Sequence, residues 1–402
     1  MPLRFLHISD LHLLALDEGS PLDLNRRFRD ALEEDVRDFV NTTGSLDAVL
    51  VGGDIAATGQ EHQFRVAGEW IERLCGIIGC THKDVYCVPG NHDIDRSRTT
   101  DNGLVQLAEA VFRSCHLEEI DGHLVSILSR SRGAEDFMAR LDNYHEFAAR
   151  YDCGVTPKKY CWKRELEGAL DGRGVVLIGL NSVLISSARD GKSPCCEDNK
   201  KVILGQGQAY LHRNDGSVVV ALIHHPLPWL RDGGAVAGLL ARAQVQLFGH
   251  EHKPDFDSTD ETVQIFAGAV QPPSNEESRS PAFNVVELLV EGDELLVRTH
   301  PRKWDGQRFA PDSDFDDPVE RRVKLAESGP SAQEPQDVPP VTDLRREVMW
   351  QLMQRNPEER RIVLAGIGVA AIDQILTPLA LGEAVKLITE RDLWERLDEE
   401  LS

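Results

Sequence analysis

An alternation restricts the fold of this chain more than any other feature. Through the first two-thirds, short apolar runs that read as strands are separated by stretches of helical length and amphipathic spacing. "LRFLHIS" is followed by a helical 23–40, "LDAVLVGG" by a helical 62–78, and then "DVYCVPG". The pattern resumes with "GVVLIGLNS" (174–182), a helical "GQAYLHR" region, "SVVVALIHH" (217–225), a helix near 234–243, and "AQVQLFGH". Such alternation predicts a layered α/β domain with helices outside the sheet. The later runs "ETVQIFAGA", "AFNVVELLV" and "DELLVRTHP" follow one another without helices, and the Gly-Asp between the last two predicts a hairpin. Some strands must therefore be antiparallel.

Two segments break the pattern. Residues 100–170 read as a mostly helical insertion, either an embellishment or a cap that controls access to the strand ends. Residues 325–340, rich in Pro, Ser and acid, have linker composition. They separate a domain over 1–324 from a helical stretch over 341–402, where "NPEERRIVLAGIG" carries a helix start and a terminal Gly. The expected architecture is an α/β sandwich with a helical insertion and a small all-α bundle at the C-terminus.

Composition narrows the partners. The formal charge is −23, which repels long nucleic acid and favours a small anionic substrate drawn in by cations. No window reaches the roughly 18 apolar residues of a membrane span, and "MPLRFLHISDLHL" lacks the features of a signal peptide. A cytoplasmic protein with reduced cysteines is expected. The eight cysteines form no CxxC pair; the vicinal Cys195 and Cys196 read as a reduced surface loop, with a zinc or redox role as the alternative.

Five strand candidates end in side chains that bind metals: "SDLH" (Asp10, His12), "GGDI" (Asp54), "GNHD" (Asn91, His92), "IHHP" (His224, His225) and "FGHEH" (His250, His252). Six of the fourteen histidines lie there, so the signal is their concentration. An Asp-x-His or His-x-His pair puts both side chains on one face of a strand. Oxygen and imidazole donors without thiolate suit manganese, iron or zinc, and they are too many for one tetrahedral ion. Two ions about 3.5–4 Å apart suit phosphoester hydrolysis, because they clamp phosphoryl oxygens and acidify a water held between them. Asp54, alone after two glycines, stands where a shared carboxylate is needed. His7 lies on the opposite parity from Asp10 and is expected to pack or hydrogen-bond in the fold. Asn181, at another strand end, could bind substrate or support a ligand. The remaining histidines, His116 and His123 among them, read as structural or surface residues.

The ordered set D-x-H, G-D, G-N-H-D, H-H-P and G-H-x-H resembles the calcineurin-like metallophosphoesterase family, in particular its cyclic-nucleotide phosphodiesterase and related bacterial branch, over roughly residues 3–310. The resemblance implies a four-layer α-β-β-α sandwich. It implies two divalent ions, manganese first and iron or zinc otherwise. Asp10, His12 and His252 would hold one ion, Asn91, His224 and His250 the other, and Asp54 both. It casts His92 as the catalytic histidine at the leaving oxygen, with Asp93 orienting it. Strand parity lets only one of His224 and His225 ligate; family position selects His224 and leaves His225 a supporting or substrate role. "GGDIAATGQEHQF" departs from the Val-Asp-Arg-Gly continuation of the protein-phosphatase branch. The implied activity is hydrolysis of a cyclic or other small nucleotide diester, with a defence-system nuclease or a metal-stabilised binding scaffold as alternatives. The last 62 or so residues (341–402) resemble death-like adaptor domains of bacterial effectors, which would give the chain a protein partner.

Overall fold

The computed structural model describes residues 2–325, apart from 15–22, 24, 101, 130, 188, 211–215 and 273–279. The expected module at 341–402 and all of the expected linker except Leu325 lie outside the described residues.

Two mixed sheets form the fold. The first contains β1 (Leu3–Ile8), β2 (Ala48–Val51) and β3 (Val85–Cys87) in parallel. The second contains β4 (Trp162–Leu170), β5 (Arg173–Leu180), β6 (Val218–Ile223), β7 (Val245–Phe248), β8 (Asp255–Ser258) and β9 (Val263–Phe266), in the order β4-β5-β6-β7-β9-β8. In it β5, β6, β7 and β9 run parallel, with β4 and β8 antiparallel at the edges. The first sheet is completed by β10 (Ala282–Glu291), β11 (Glu294–Trp304), β12 (Phe309–Pro311) and β13 (Val319–Lys324), in the order β12-β11-β10-β1-β2-β3 with β13 beside β11. The hairpin read from "VEGDEL" is present: Glu291 faces Glu294 across the Gly292-Asp293 turn, and Gly292 supplies the positive φ of 67°. The parallel strands β2, β3 and β6 are buried along their whole length, as expected of strands covered on both faces.

Helices cover the outer faces. Helix α1 (Arg26–Thr43) buries Phe28, Ala31, Leu32 and Val36; Phe28 packs edge-on against Trp304, and Asp35 accepts from Arg302. Helix α2 (Glu61–Ile78) starts with a reciprocal Gln60–Gln63 capping box and ends at Gly79 in the left-handed region. The insertion contains α3 (Arg96–Thr100), α4 (Gly103–Ser114), α5 (Ile120–Leu128), α6 (Ser131–Met138) and α7 (Asp142–Ala149). Residues 115–134 belong to a compact unit separate from the sheets. On the other side α8 (Gln206–Ala209) and α9 (Gly233–Leu240) cover β5 and β6, with Ala209, Val236 and Leu240 meeting Val176, Ile178, Val219 and Ala221. Among the described residues no helix is long and apolar enough to cross a membrane.

The helical reading of 100–170 holds only to about residue 150. Residues 162–170 form a strand, because "WKRELEGAL" pairs back on β5 through the Asp171-Gly172 turn. Two buried arginines tie α4 and the turn at 139–141 to the segment after β5. Arg140 donates to Glu109 (2.6 Å) and to the Leu184 carbonyl, and Arg113 to the Ile185 carbonyl (3.0 Å) and Asp190. These bonds clamp α4 to the segment after β5, since a buried guanidinium is costly unless carboxylates and carbonyls accept from it.

His7, on β1, is fully buried with both ring nitrogens unpartnered. The sequence reading foresaw packing or hydrogen bonding, and the structure shows packing alone. Burial outweighs the pull of Asp10 and lowers its pKa from 6.5 to about 3. As pH falls below 6.5 the unfolded chain takes up a proton that the folded chain refuses, so stability is complete above that pH and is lost on the way down to about 3. In paired urea melts at pH 7 and pH 5, wild type should lose up to about 1.4 kcal/mol per pH unit more than His7→Leu. Equal losses in the two proteins would mean that His7 is not held neutral.

Candidate metal centre

The five strand ends meet at one rim. Past β1 the chain bonds to the segment past β2, with Asp10 N donating to the Gly53 carbonyl (3.0 Å) and His12 N to that of Asp54 (2.9 Å). Past β7, His250 N donates to Asp10 Oδ2 (3.1 Å). Asp10, His12, Asp54, His250 and His252 are five of the seven non-glycine residues with positive φ among the described residues. Each costs of order 1–3 kcal/mol and persists only where its surroundings over-determine it. Strain is thus concentrated on the residues that the sequence singled out.

Glycines make the convergence possible. A Cβ on Gly90 would lie 2.2 Å from both the amide nitrogen and Oδ1 of Asp54. Gly53, at φ 97°, would press a Cβ to 2.7 Å from His224 Nδ1. Gly90 is therefore needed for contact with Asp54, beyond the turn alone.

Two donor groups result. In the first, ligand atoms of Asp10, His12, Asp54 and His252 all lie within 4.8 Å of one another. His12 Nε2 is 3.3 Å from His252 Nε2, and Asp10 Oδ1 is 3.1 Å from the same nitrogen yet has no hydrogen-bond partner. In the second, His224 Nε2 is 3.2 Å from Asn91 Oδ1 and 3.4 Å from Asp54 Oδ2. His224 Nδ1 meets the Gly52 carbonyl at 2.8 Å, which can only accept, so Nδ1 carries a proton, and once Nε2 has shed its own that nitrogen turns a lone pair towards two further acceptors. Lone pairs converging on buried points, one of them an orphaned carboxylate oxygen, suit divalent cations. Asp54 belongs to the first group and borders the second.

Electrostatics agree. Burial pushes Asp54 and Asp10 up, but His224 beside the one and His252 beside the other outweigh it and hold both carboxyls below their usual range. Burial keeps His12 near 4 and His250 well below 6.5, so these rings present lone pairs at neutral pH. For His224 burial is outweighed by Asp54, which lifts it to about 9, so without a cation Nε2 carries a proton at neutral pH that a bound ion would displace.

His92 lies beside this cluster, half-buried, its ring edge-on to His12 at 4.7 Å. Its backbone N donates to Asp54 Oδ1 (2.7 Å) and its Nδ1 to the Ala57 carbonyl (2.9 Å), which leaves Nε2 to exchange a proton. Here the expectation for Asp93 is corrected. Asp93 turns inward and accepts from Ala56 N and Gly90 N, both at 2.8 Å, tying the Asp54 loop to the Asn91 loop. Ala57, not Asp93, orients His92, because neighbours in a tight turn diverge. Burial, with Asp54 adding to it, raises Asp93 to about 7. Asp95 accepts from Ser97 N (3.1 Å) and Oγ at the start of α3.

The parity argument for His224 and His225 also fails, since β6 ends at Ile223 and the chain bends there. Both rings are buried and both lie close to His250, whose ring is 5.2 Å from His224 and 4.3 Å from His225. His225 differs by its bond to Ser182 Oγ (2.9 Å). Asn181 is buried at the end of β5, with Oδ1 accepting from Val183 N (3.0 Å) and Nδ2 unpartnered. Trp229, which the sequence reading passed over, stands edge-on to His250 at 4.2 Å and donates to Glu251. Its place three residues after His-His-Pro was the available signal.

Residues 3–254 match the family described as calcineurin-like phosphoesterase. A curated relative, the uncharacterised metallophosphoesterase-like protein YydB of Bacillus subtilis, is 24% identical over 308 residues. That match covers 74% of this chain, and the chain spans only 59% of the length of YydB. Among solved structures, Vps29 of Entamoeba histolytica is 11% identical with a TM-score of 0.31, covering 81% of this chain and 100% of its own. The sulfate thiohydrolase SoxB of Thermus thermophilus is 14% identical with a TM-score of 0.35, covering 80% of this chain and 56% of its own.

Proposed function

The chain belongs to the calcineurin-like phosphoesterase family, a family of metal-dependent hydrolases, and from that premise we propose that it hydrolyses a phosphodiester, that of a cyclic or other small nucleotide. The reading rests on one observation above the rest: Asp54 belongs to the donor group of Asp10, His12 and His252 and also stands 3.4 Å from His224, with the backbone of His92 bonded to it. In this reading Asp10, His12 and His252 hold one divalent ion, Asn91, His224 and His250 hold the other, and Asp54 serves both. Manganese is the expected ion, with iron or zinc compatible with the same donors. When bound, the ions supply Lewis-acid polarisation of the phosphoryl oxygens and a water acidified towards neutrality.

The chain's own residues do the rest. His92 keeps Nδ1 on Ala57 and delivers a proton from Nε2 to the departing oxygen. The Asp93 bonds hold the Asn91 and Asp54 loops in register, so that His92 meets the reacting group in a fixed pose. His225 and Asn181 face substrate, with Trp229 beside them. The −23 formal charge disfavours long polyanions and supports a small substrate, and the "GGDIAATG" continuation supports the bacterial phosphodiesterase branch. We assign residues 341–402 to a protein partner and the whole to the cytoplasm.

Turnover of bis-p-nitrophenyl phosphate and p-nitrophenyl phosphate with manganese tests the reading. Metal-dependent turnover that favours the diester is expected, followed by a hit in a panel of cyclic nucleotides. Preference for the monoester would overturn the diester reading, and the absence of metal-dependent turnover would overturn the assignment as an enzyme. Removal of 341–402 should leave turnover intact.

A further inference from the structure

A second kind of donor cluster lies outside the strand rim. Ligand atoms of Cys115, Glu119 and His123 all lie within 4.8 Å of one another. The three lie in residues 115–134, the described part of the second compact unit, and follow a C-x3-E-x3-H spacing. Glu119 closes the 3-10 turn Leu117–Glu119, and His123 lies one helical turn further on in α5, so the two side chains share a face. Cys115, just before the turn, brings its sulfur to the same point. The carboxylate is already placed: one of its oxygens accepts from His116 N at 2.8 Å, a capping bond that fixes the turn. Cys115 and His123 are half-buried and Glu119 is exposed, which makes the cluster reachable from solvent.

We propose that Cys115, Glu119 and His123 form an accessory zinc site on the helical insertion, separate from the dinuclear centre. The donor set selects the metal. Thiolate, imidazole and carboxylate together suit borderline-soft Zn2+, whereas the rim cluster of carboxylates, imidazoles and an amide suits harder ions. Three protein donors leave the fourth tetrahedral position to water or to an exogenous ligand. Binding displaces the thiol proton to solvent and involves no redox change. Searching for paired cysteines misses such a site, because only one of its donors is a cysteine and the other two follow at four-residue intervals.

The chemistry also supplies a test independent of catalysis. None of the residues assigned to the dinuclear centre is a thiolate, so a sulfur-to-metal charge-transfer band in the near ultraviolet reports only on cysteine sites. Cobalt(II) titrated into the full chain should produce that band, and zinc should displace it. Cys115→Ser should abolish the band and His123→Gln should weaken cobalt binding, while manganese-dependent diester turnover in both variants stays at the wild-type level. The Cys195→Ser, Cys196→Ser double variant should keep the band. No band in the wild-type chain, or a band that survives Cys115→Ser and vanishes with Cys195 and Cys196, would overturn the proposal. Because turnover is read separately, a hydrolase that fails and a zinc site that fails give different patterns.

Discussion

Asp54→Asn should empty the centre: bound manganese, measured by elemental analysis after desalting, should fall from two ions per chain to one or none. Turnover should fall at least about a thousandfold, since the metals' stabilisation is worth several kcal/mol and 1.36 kcal/mol is a factor of ten. The substitution preserves shape. Its amide oxygen can still accept from His92 N, the 2.7 Å bond made by Oδ1, so the loops should stay in place and the loss is one of charge. In the wild type both carboxylate oxygens are engaged, Oδ1 by the His92 loop and Oδ2 at 3.4 Å from His224. An amide nitrogen in the Oδ2 position would turn a donor towards the place where His224 and Asn91 offer lone pairs. Retention of two ions with nearly unchanged turnover would remove Asp54 from the shared position.

His92→Ala is expected to give a different pattern. Metal content should hold, because the backbone N of residue 92 still reaches Asp54, while turnover falls by roughly 10²–10⁴, the range of a lost general acid. The loss should depend on the leaving group. A nitrophenolate departs without much help, so bis-p-nitrophenyl phosphate should be affected least, and a cyclic nucleotide, which expels an alkoxide, most. A loss of equal size on every substrate would show that His92 contributes to binding or metal retention and not to proton transfer. The Ala57 carbonyl makes the prediction specific, because it fixes Nδ1 as the protonated nitrogen and leaves Nε2 as the one that can transfer.

Much of the candidate site was legible in the chain because side chains able to hold a metal cluster locally. Asp10 and His12, or His250 and His252, are read together from two-residue spacing, and the glycines of "GGDI" and "GNHD" announce close backbone approach. The structure brings all of these to one rim. Where reading by adjacency went wrong, the cause was a backbone change within a few residues. The resemblance set Asp93 to orient its neighbour His92, yet the turn sends its carboxylate inward to Ala56 and Gly90. His224 and His225 were set on opposite faces because strand parity was extended one residue past Ile223, where the strand ends. The strand at 162–170 was absorbed into the helical insertion because its alternation is weak and its partner β5 is identified only by pairing.

By itself the sequence determined most of the central elements and the donors: that the apolar runs are strands, that they would include antiparallel neighbours, and that oxygen and imidazole side chains would sit at their ends. Those properties follow from residue type and short-range periodicity, which act within a few positions along the chain. Only the tertiary structure decided which atoms meet. His12 and His252 are 240 positions apart in the chain, and their ring nitrogens stand 3.3 Å apart because β1 and β7 end at the same rim. The partner that orients His92, the shared setting of His224 and His225, and the meeting of Cys115, Glu119 and His123 depend likewise on where the backbone turns, and packing across the whole fold sets that.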